Sequence, residues 1–457
     1  MANRVLKALT EREWGWNREE MRKVHIALVE SVMWYAASAW MPWLSATNFG
    51  RLERAQREAL RTVTGLTKTS PTECVYKEAG MTPVRLEAKR RALITYEKLS
   101  RGRIGGTSRE LVEKKGRRRL AANKGWREQS RDVVEKVYEG GKRDEFRWVR
   151  GVPWRSLADA DVAIYTALEG RMEEGMTEEE KRELVERTLE ERGPVDLNLY
   201  TDGSVEGGTV NGGAACVGMF EGEEIVVRKA AGRWCSSYGA EVTALLEAVK
   251  VIEDLNVRSV LVCSDSMAAL CMLKNGGEQM NGMIGELVER LVSVSARCRV
   301  ILQWVPAHIG VTGNEWADVV AKEARGEEQK DVCLWFEWVK SRLGQECRYK
   351  AKWEGRLARV YEGAYVPMEG SSRRERVLCA QLRAGHCARD IYYKRRMEGL
   401  PMGVCDGCGS EVEKDHWLMC ECVRGMRVRC GIRGVHDLGR ETEVISFIRR
   451  AYPKWLE

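Results

Sequence analysis

The sequence predicts an α/β protein: a mixed five-stranded sheet with packed helices, flanked by helical N- and C-terminal regions. Three observations predict it. Apolar residues recur at three- and four-residue steps near both ends of the chain. Short apolar runs separated by glycine-rich turns begin near residue 195. Beyond residue 239 helical and strand patterns alternate, as they do where helices pack on a sheet.

In the first hundred residues Arg18–Ala39 and Phe49–Val63 read as helices, with Asn48 placed to cap the second. Another helix runs from about Pro83 to Ser100. Ser31–Phe49 carries no charge and approaches spanning length. Pro42 interrupts it and charges crowd both sides, so a buried helix followed by a turn is expected, not a membrane span. Arg101–Arg119 has glycines and then a dense run of bases; it is either an exposed joint that touches phosphates or a solvated linker. Trp126, Trp148 and Trp154 stand among further bases, where core packing is a commoner use of the ring than base stacking.

Met176–Arg192 is a capped acidic helix ending at Gly193-Pro194, punctuation that marks a domain boundary. Strands are expected at Val195–Tyr200, Ala214–Phe220 and Ile225–Ala230, then a helix at Gly239–Leu255 and a strand at Ser259–Cys263. Helices at Met267–Lys274 and Gly282–Cys298, a strand at Val300–Val305 and a helix at Asn314–Arg325 complete the unit. The tail reads as helices Leu334–Tyr361 and Arg373–Met397 before a Cys/His cluster. The expected regions are thus 1–100 (helical), 101–191 (basic linker and helices), 192–327 (the sheet domain), 328–400 (helical) and 401–457 (the Cys/His tail).

The hydrophobic and charged fractions, 44% and 31%, exclude a disordered chain. The fifteen cysteines are odd in number and scattered, and Met1–Thr10 is not a hydrophobic leader, so reduced thiols in a cell interior are expected. Charge is unevenly spread: +14 over residues 1–150, −7 over 151–200, −6 over 201–330 and +6 over 331–457. Basic flanks attract a polyanion; an acidic centre attracts cations.

Four carboxylates punctuate that centre. Asp202 ends the first strand in Thr-Asp-Gly-Ser, Glu241 opens the first helix, Asp265 ends the fourth strand in Ser-Asp-Ser, and Asp318 lies in the last helix. Strand ends on one sheet edge lie close together, so acids distant in sequence can converge. Each alone would be an ordinary surface charge. Together they need divalent cations, and two hard cations about 4 Å apart clamp the attacking and leaving oxygens of a phosphoryl displacement. All-oxygen ligands favour Mg²⁺, with Mn²⁺ able to substitute. His308, on a glycine-bearing loop ten residues before Asp318, is a titratable group able to shuttle a proton or help release product.

This arrangement resembles the type 1 ribonuclease H family. Thr-Asp-Gly-Ser at 201–204, Ala-Glu at 240–241, Ser-Asp-Ser at 264–266 and Pro-Ala-His-x-Gly-x-x-Gly-Asn-Glu-x-Ala-Asp at 306–318 match in order and spacing. The resemblance implies an RNase H-like fold and a cut in the RNA strand of an RNA/DNA hybrid that leaves 3′-hydroxyl and 5′-phosphate ends. It implies metal-ligand roles for Asp202, Glu241, Asp265 and Asp318, an auxiliary catalytic role for His308, and substrate contacts for Ser204 and Asn314.

Cys405-x₂-Cys408-x₇-His416-x₃-Cys420 has spacings suited to tetrahedral Zn²⁺ in a structural site, with Cys422 an alternative fourth ligand; zinc is expected ahead of the alternative, a set of reduced, unligated thiols. The flanks resemble non-LTR retrotransposon polyproteins. Trp14-Gly-Trp16, Tyr35-Ala-Ala-Ser-Ala-Trp40 and Leu52–Leu60 running to Thr64-Gly65 are similar to their segment after the polymerase core; Leu382-Arg-Ala-Gly-His386 is similar to their tail. No Asp-Asp pair occurs, so the polymerase's Tyr-x-Asp-Asp motif is missing and polymerase activity is not expected. The resemblance implies the C-terminal part of such a polyprotein, with a hybrid as substrate, other nucleic acid held by the basic flanks, and the nucleus as a natural compartment. The alternative is a catalytically silent remnant that binds nucleic acid without turnover; a scaffold built on the helical flanks is a third reading.

Overall fold

The computed structural model describes the chain except residues 1, 11–13, 42–43, 102–109, 111, 113–125, 139–140, 145–146, 149–156, 158–159, 174, 276–278, 281, 363–364, 366–370 and 457. Most of the basic joint at 101–119, together with Trp154, lies outside the described residues. The chain divides into two compact units: Met1–Arg91 with Cys347–Glu457, and Ala92–Glu346.

The second unit is built on a six-stranded mixed sheet. Its strands are β1 (Val162–Tyr165), β2 (Leu197–Glu206), β3 (Val210–Phe220), β4 (Glu223–Gly232), β5 (Ser259–Ser264) and β6 (Arg299–Trp304), in the order β1-β6-β5-β2-β3-β4. β2, β3 and β4 form antiparallel hairpins, whereas β5 and β6 run parallel to β2 and to each other. The expected count of five strands is corrected by β1, which pairs in parallel with β6 from Val162↔Val300 to Tyr165↔Gln303. A four-residue strand whose partner lies more than a hundred positions away leaves little local signal.

Helices α1 (Glu178–Glu191), α2 (Ser237–Asp254), α3 (Met267–Asn275), α4 (Gly282–Ser295) and α5 (Thr312–Ala324) cover the sheet. Side chains alternate along a strand, so Val260 and Val262 of β5 pack with Leu245, Val249, Leu287 and Leu291 of α2 and α4. Leu261 and Cys263 face the opposite core, with Ile301 of β6 and Val185 of α1. Burial on both faces explains why β5 reads as an unbroken apolar run. The cap of α1 is Thr177, whose hydroxyl accepts from the Glu180 backbone N–H at 3.2 Å while Glu180 reaches back to the Thr177 N–H at 2.7 Å. Within this unit the fully buried Arg101 pairs with Glu97 at 2.6 Å and donates to the Leu334 carbonyl at 2.7 Å.

The first unit is helical. Its elements include Arg18–His25, Ala46–Thr64, Thr72–Ala79, Arg373–Ala384 and Glu441–Ala451. The stretch expected as one helix over Arg18–Ala39 changes to π geometry at Ile26–Glu30 and breaks after Trp34, where Ala36 adopts a left-handed φ of 49°. The cap of the next helix is Ser45 rather than Asn48: the Ser45 hydroxyl accepts from the Asn48 N–H at 3.3 Å. No helix among the described residues is long and apolar enough to cross a membrane. The two long tail helices are also interrupted. Leu334–Tyr361 divides into Phe336–Glu346 and Gly355–Tyr361. Gly385, at φ +70°, ends Arg373–Ala384, and Asp390 caps a new helix over Ile391–Glu398. A buried guanidinium organises this core: Arg383 donates to Glu78 at 2.7 and 2.8 Å and pairs with Glu441 at 3.0 Å.

Candidate active site and metal centres

β2 and β5 pair in parallel as far as Thr201↔Ser264, and each chain continues one residue to an aspartate, Asp202 and Asp265. Asp202 does not end its strand as expected. The β2–β3 hairpin carries β2 on to Glu206, with Asp202 opposite Ala215. Asp265 sits in the turn after β5, held where the Trp304 indole N–H donates to its carbonyl at 3.1 Å. Glu241 lies in the first turn and a half of α2, which is capped by the Ser236 hydroxyl accepting from the Gly239 N–H at 3.1 Å.

Two glycines let these elements meet. A Cβ on Gly203 would lie 2.4 Å from the Glu241 nitrogen and 2.6 Å from the Ala240 carbonyl carbon. Only a residue without a side chain lets α2 start against β2. A Cβ on Gly313 would lie 2.3 Å from the Tyr200 ring, so that glycine seats α5 on the same strand.

Carboxylate oxygens of Asp202, Glu241 and Asp265 lie within 4.8 Å of one another. Asp318, on α5, groups instead with His308 and Glu315, again within 4.8 Å, and its Oδ2 accepts from Lys322 Nζ at 2.6 Å. His308 occupies its loop with a left-handed φ of 56°, followed by Gly310 at 78°. Asn314 is buried in the opening turn of α5. Ser204 lies two positions beyond Asp202, on the same face of β2 and half-buried.

The electrostatics are those of crowded, poorly solvated acids. Burial, reinforced by Asp265 and Asp318, pushes the Asp202 carboxyl up to about 7. Burial first, then Asp202 and Asp265, hold Glu241 well above the carboxylate range. Asp265 is raised by burial, an effect opposed by a side-chain hydrogen bond from Asn314 and by His308. Glu241 Oε2 and Asn314 Oδ1 are buried and find no hydrogen-bond partner among the described residues. Buried oxygen acceptors without donors, among carboxyls that resist ionisation, make a donor set that fits hard divalent cations. Glu315 and Lys322 were given no role from sequence alone. Their spacing to Asp318, three and four residues on one helix, is the signal that places them on its face.

The cysteine cluster assembles in the other unit. Sulfurs of Cys405, Cys408, Cys420 and Cys422 lie within 4.8 Å of one another. Cys405 is 3.9 Å from Cys420, and His416 Nε2 is 3.6 Å from the Cys408 sulfur. A tight turn carries the first pair: the Cys405 N–H donates to the Ser410 carbonyl at 2.8 Å and Gly409 adopts φ +72°. Backbone N–H of Cys408 and then the His416 side chain pull the Cys405 thiol down to about 6, while burial pushes Cys420 up to about 12. The four sulfurs therefore meet, Cys422 among them, whereas His416, expected as a ligand ahead of Cys422, stands outside that group beside Cys408.

Residues 194–325 match the sequence profile of the RNase H family. No curated protein matches the chain. Among solved structures, RNase H1 from the halophilic archaeon Halobacterium salinarum NRC-1 is similar at 18% identity over 29% of this chain and 98% of that one, with a TM-score of 0.25.

Proposed function

We propose that the domain at 194–325 is an active type 1 ribonuclease H, hydrolysing the RNA strand of RNA/DNA hybrids with divalent metal ions. One observation carries the reading: Asp202, Glu241 and Asp265 converge within 4.8 Å in a pocket that raises all three carboxyls. Such a pocket is stable as a set of charges only with cations in it. Asp202, Glu241 and Asp265, with Asp318 beside them, would hold two Mg²⁺ ions. When bound, these supply charge stabilisation to the phosphoryl transfer and lower the pKa of a coordinated water.

The chain's own groups do the rest. The attacking water gives its oxygen to the phosphorus, the P–O3′ bond breaks, and the 3′ oxygen leaves with a proton. His308, exposed on its loop beside Asp318 and Glu315, would carry that proton. Asn314 lies beside Asp265, and its side chain offsets part of the rise that burial imposes on that carboxyl. Ser204 and Asn314 border the acids where the scissile strand would lie. Specificity for a hybrid follows from backbone shape and ribose hydroxyls rather than base edges.

The flank motifs, from Trp14-Gly-Trp16 to Leu382-Arg-Ala-Gly-His386, support an origin in a non-LTR retrotransposon polyprotein, where such an activity removes template RNA from new DNA. The four converging sulfurs, with His416 beside Cys408, support one structural Zn²⁺ held by Cys405, Cys408 and two of His416, Cys420 and Cys422.

Incubating the full chain with a labelled hybrid, with and without Mg²⁺, tests the central reading. Metal-dependent cleavage of the RNA strand by the wild type, abolished in Asp202→Asn with hybrid binding retained, supports it. Hybrid binding with no cleavage at any Mg²⁺ concentration rejects it in favour of a silent remnant.

A further inference from the structure

The helical unit carries an open groove of about 820 Å³ lined by Lys7, Trp14, Glu58, Arg61, Lys68 and Arg373, among others. Its floor is cationic. Arg373 is buried, and its guanidinium donates to the carbonyls of Trp16 (3.1 Å), Val63 (3.2 Å) and Thr62 (2.7 Å). Arg61 donates to the carbonyls of Thr67 at 3.2 Å and Ser70 at 3.3 Å. Carbonyl partners orient the Arg61 guanidinium without cancelling its charge. Among the described lining residues one carboxylate, Glu58, opposes these cations, and Lys7 Nζ already pairs with it at 2.7 Å.

Trp14 stands at the groove with 54% of its surface exposed. Its backbone, by contrast, is pinned. Thr10 and Gly15 form an antiparallel bridge, and the Thr10 hydroxyl donates to the Trp14 carbonyl at 3.0 Å. Gly15 has φ +101°, and a Cβ there would lie 2.5 Å from the Thr10 hydroxyl oxygen and 2.6 Å from the Leu9 carbonyl oxygen, so the bridge requires glycine. A pinned backbone presenting a half-exposed indole beside oriented cations has the composition of a surface that tracks a phosphate chain and stacks a base.

We propose that this groove binds a single-stranded stretch of nucleic acid, with phosphates against Arg61 and Lys68 and one base stacked on Trp14. A duplex is a poorer occupant because its base faces are already stacked on one another. The proposal stands apart from the acidic pocket and is independent of whether that pocket cleaves anything.

The test uses the full chain and short labelled oligouridylate and oligothymidylate strands, followed by fluorescence anisotropy over a salt series without added Mg²⁺. Trp14→Ala should weaken binding by about tenfold or more with an unchanged salt slope, and Trp14→Phe should recover most of the loss. Lys68→Ala should reduce the slope of log affinity against log salt by about 0.7, the share of one phosphate contact on a single strand. Glu58→Ala, which releases Lys7, should tighten binding. The same sensitivities with either strand support the groove, since phosphates and base faces are common to both; a preference for oligouridylate would add a contact to the ribose hydroxyl. Wild-type affinity in both Trp14→Ala and Lys68→Ala overturns the proposal. So does a Trp14→Ala loss that is equally large for a blunt duplex, or full displacement of the strand by polyglutamate at equal charge, which would mark a general polyanion surface.

Discussion

Gly203→Ala is the most direct challenge to the idea that backbone proximity builds the acidic pocket. The added methyl would meet three backbone atoms of the α2 start: the Glu241 nitrogen at 2.4 Å, the Ala240 carbonyl carbon at 2.6 Å and the Glu241 Cα at 2.9 Å. Ordinary contact begins near 3.4 Å, so the nearest atom must retreat by about 1 Å. None of the three belongs to a flexible side chain, and the cost cannot be absorbed by a rotamer change. Overpacking of this kind costs about 1–3 kcal/mol. For a unit spanning Ala92–Glu346, that lowers its melting temperature by about 2–4 °C for each kcal/mol. The functional effect should be larger than the thermal one. Glu241 rides on the displaced turn, and a misplacement of about 1 Å in a catalytic constellation costs on the order of a hundredfold in rate. Single-turnover cleavage of a labelled hybrid across a Mg²⁺ titration, beside a melting curve, reads both. A variant that melts several degrees lower, needs more Mg²⁺ and cuts about a hundredfold more slowly fits the reasoning. One that cuts at the wild-type rate and Mg²⁺ requirement refutes it, whatever its melting temperature.

The remaining expectations concern charge. With its folded pKa raised from 3.8 to about 7, Asp202 favours the fold below pH 3.8 and works against it progressively as pH rises to about 7. In chelator, Asp202→Asn should therefore gain on wild type over that window, by at most about 4 kcal/mol, with Mg²⁺ reversing the order; denaturant titrations at pH 4 and pH 7.5 that show no divergence exclude a desolvated acid there. His25 is fully buried, its two ring nitrogens find no partners among the described residues, and burial pulls its pKa from 6.5 down to about 4. Its contribution is intact above pH 6.5 and is lost as pH falls to about 4, up to about 3 kcal/mol, so His25→Leu should flatten the acid limb of the stability curve of the helical unit. Removing Lys322 frees Asp318 from a 2.6 Å ion pair half-exposed to solvent, and Lys322→Met should lower the half-saturating Mg²⁺ concentration by less than about fivefold; a higher requirement would show the lysine assisting the site. For the thiol cluster, elemental analysis should find one Zn²⁺ per chain, lost in Cys405→Ser; retention in Cys422→Ser together with loss in His416→Ala would identify the fourth ligand, and a metal-free wild type would reject the site.

The regions that the sequence made legible are those where local chemistry and tertiary structure agree. β5 and β6 are apolar runs because both faces are buried, and α2 and α5 are amphipathic because one face meets the sheet. The four acids were legible through their short motifs, and the structure places three of them together and the fourth beside His308 and Glu315. What was hidden depended on distant partners. β1 exists through its pairing with β6, and nothing within Val162–Tyr165 announces it. The extension of β2 through Asp202 to Glu206 was masked by Gly203, Gly207 and Gly208, which read as a turn until β3 is known to lie opposite. In the tail, Gly385 was read as an interior residue of a long helix, although a glycine followed by a capping aspartate five positions on is a stop and a start.

The acidic pocket also sets a condition on how a substrate can approach. Residues 151–330 carry a net negative charge in both of their halves, and the carboxyls gather at one place within them. A nucleic-acid backbone brought to bare carboxylates would meet like charge at close range in a partly desolvated pocket, where repulsion is strongest. Protonating Asp202 and Glu241 relieves that repulsion but removes the ligands; cations relieve it and keep them. In the proposed enzyme, metal occupancy and substrate affinity would therefore be coupled at the same oxygens, and by linkage each would strengthen the other by the same factor. The protein's net positive charge lies elsewhere in its sequence, over residues 1–150 and 331–457, so in the proposed enzyme affinity for a polyanion and chemistry on it would rest on different residues. Substitutions of basic residues in those segments should then change how much hybrid is bound and its salt dependence, while leaving the metal requirement of cleavage as it was.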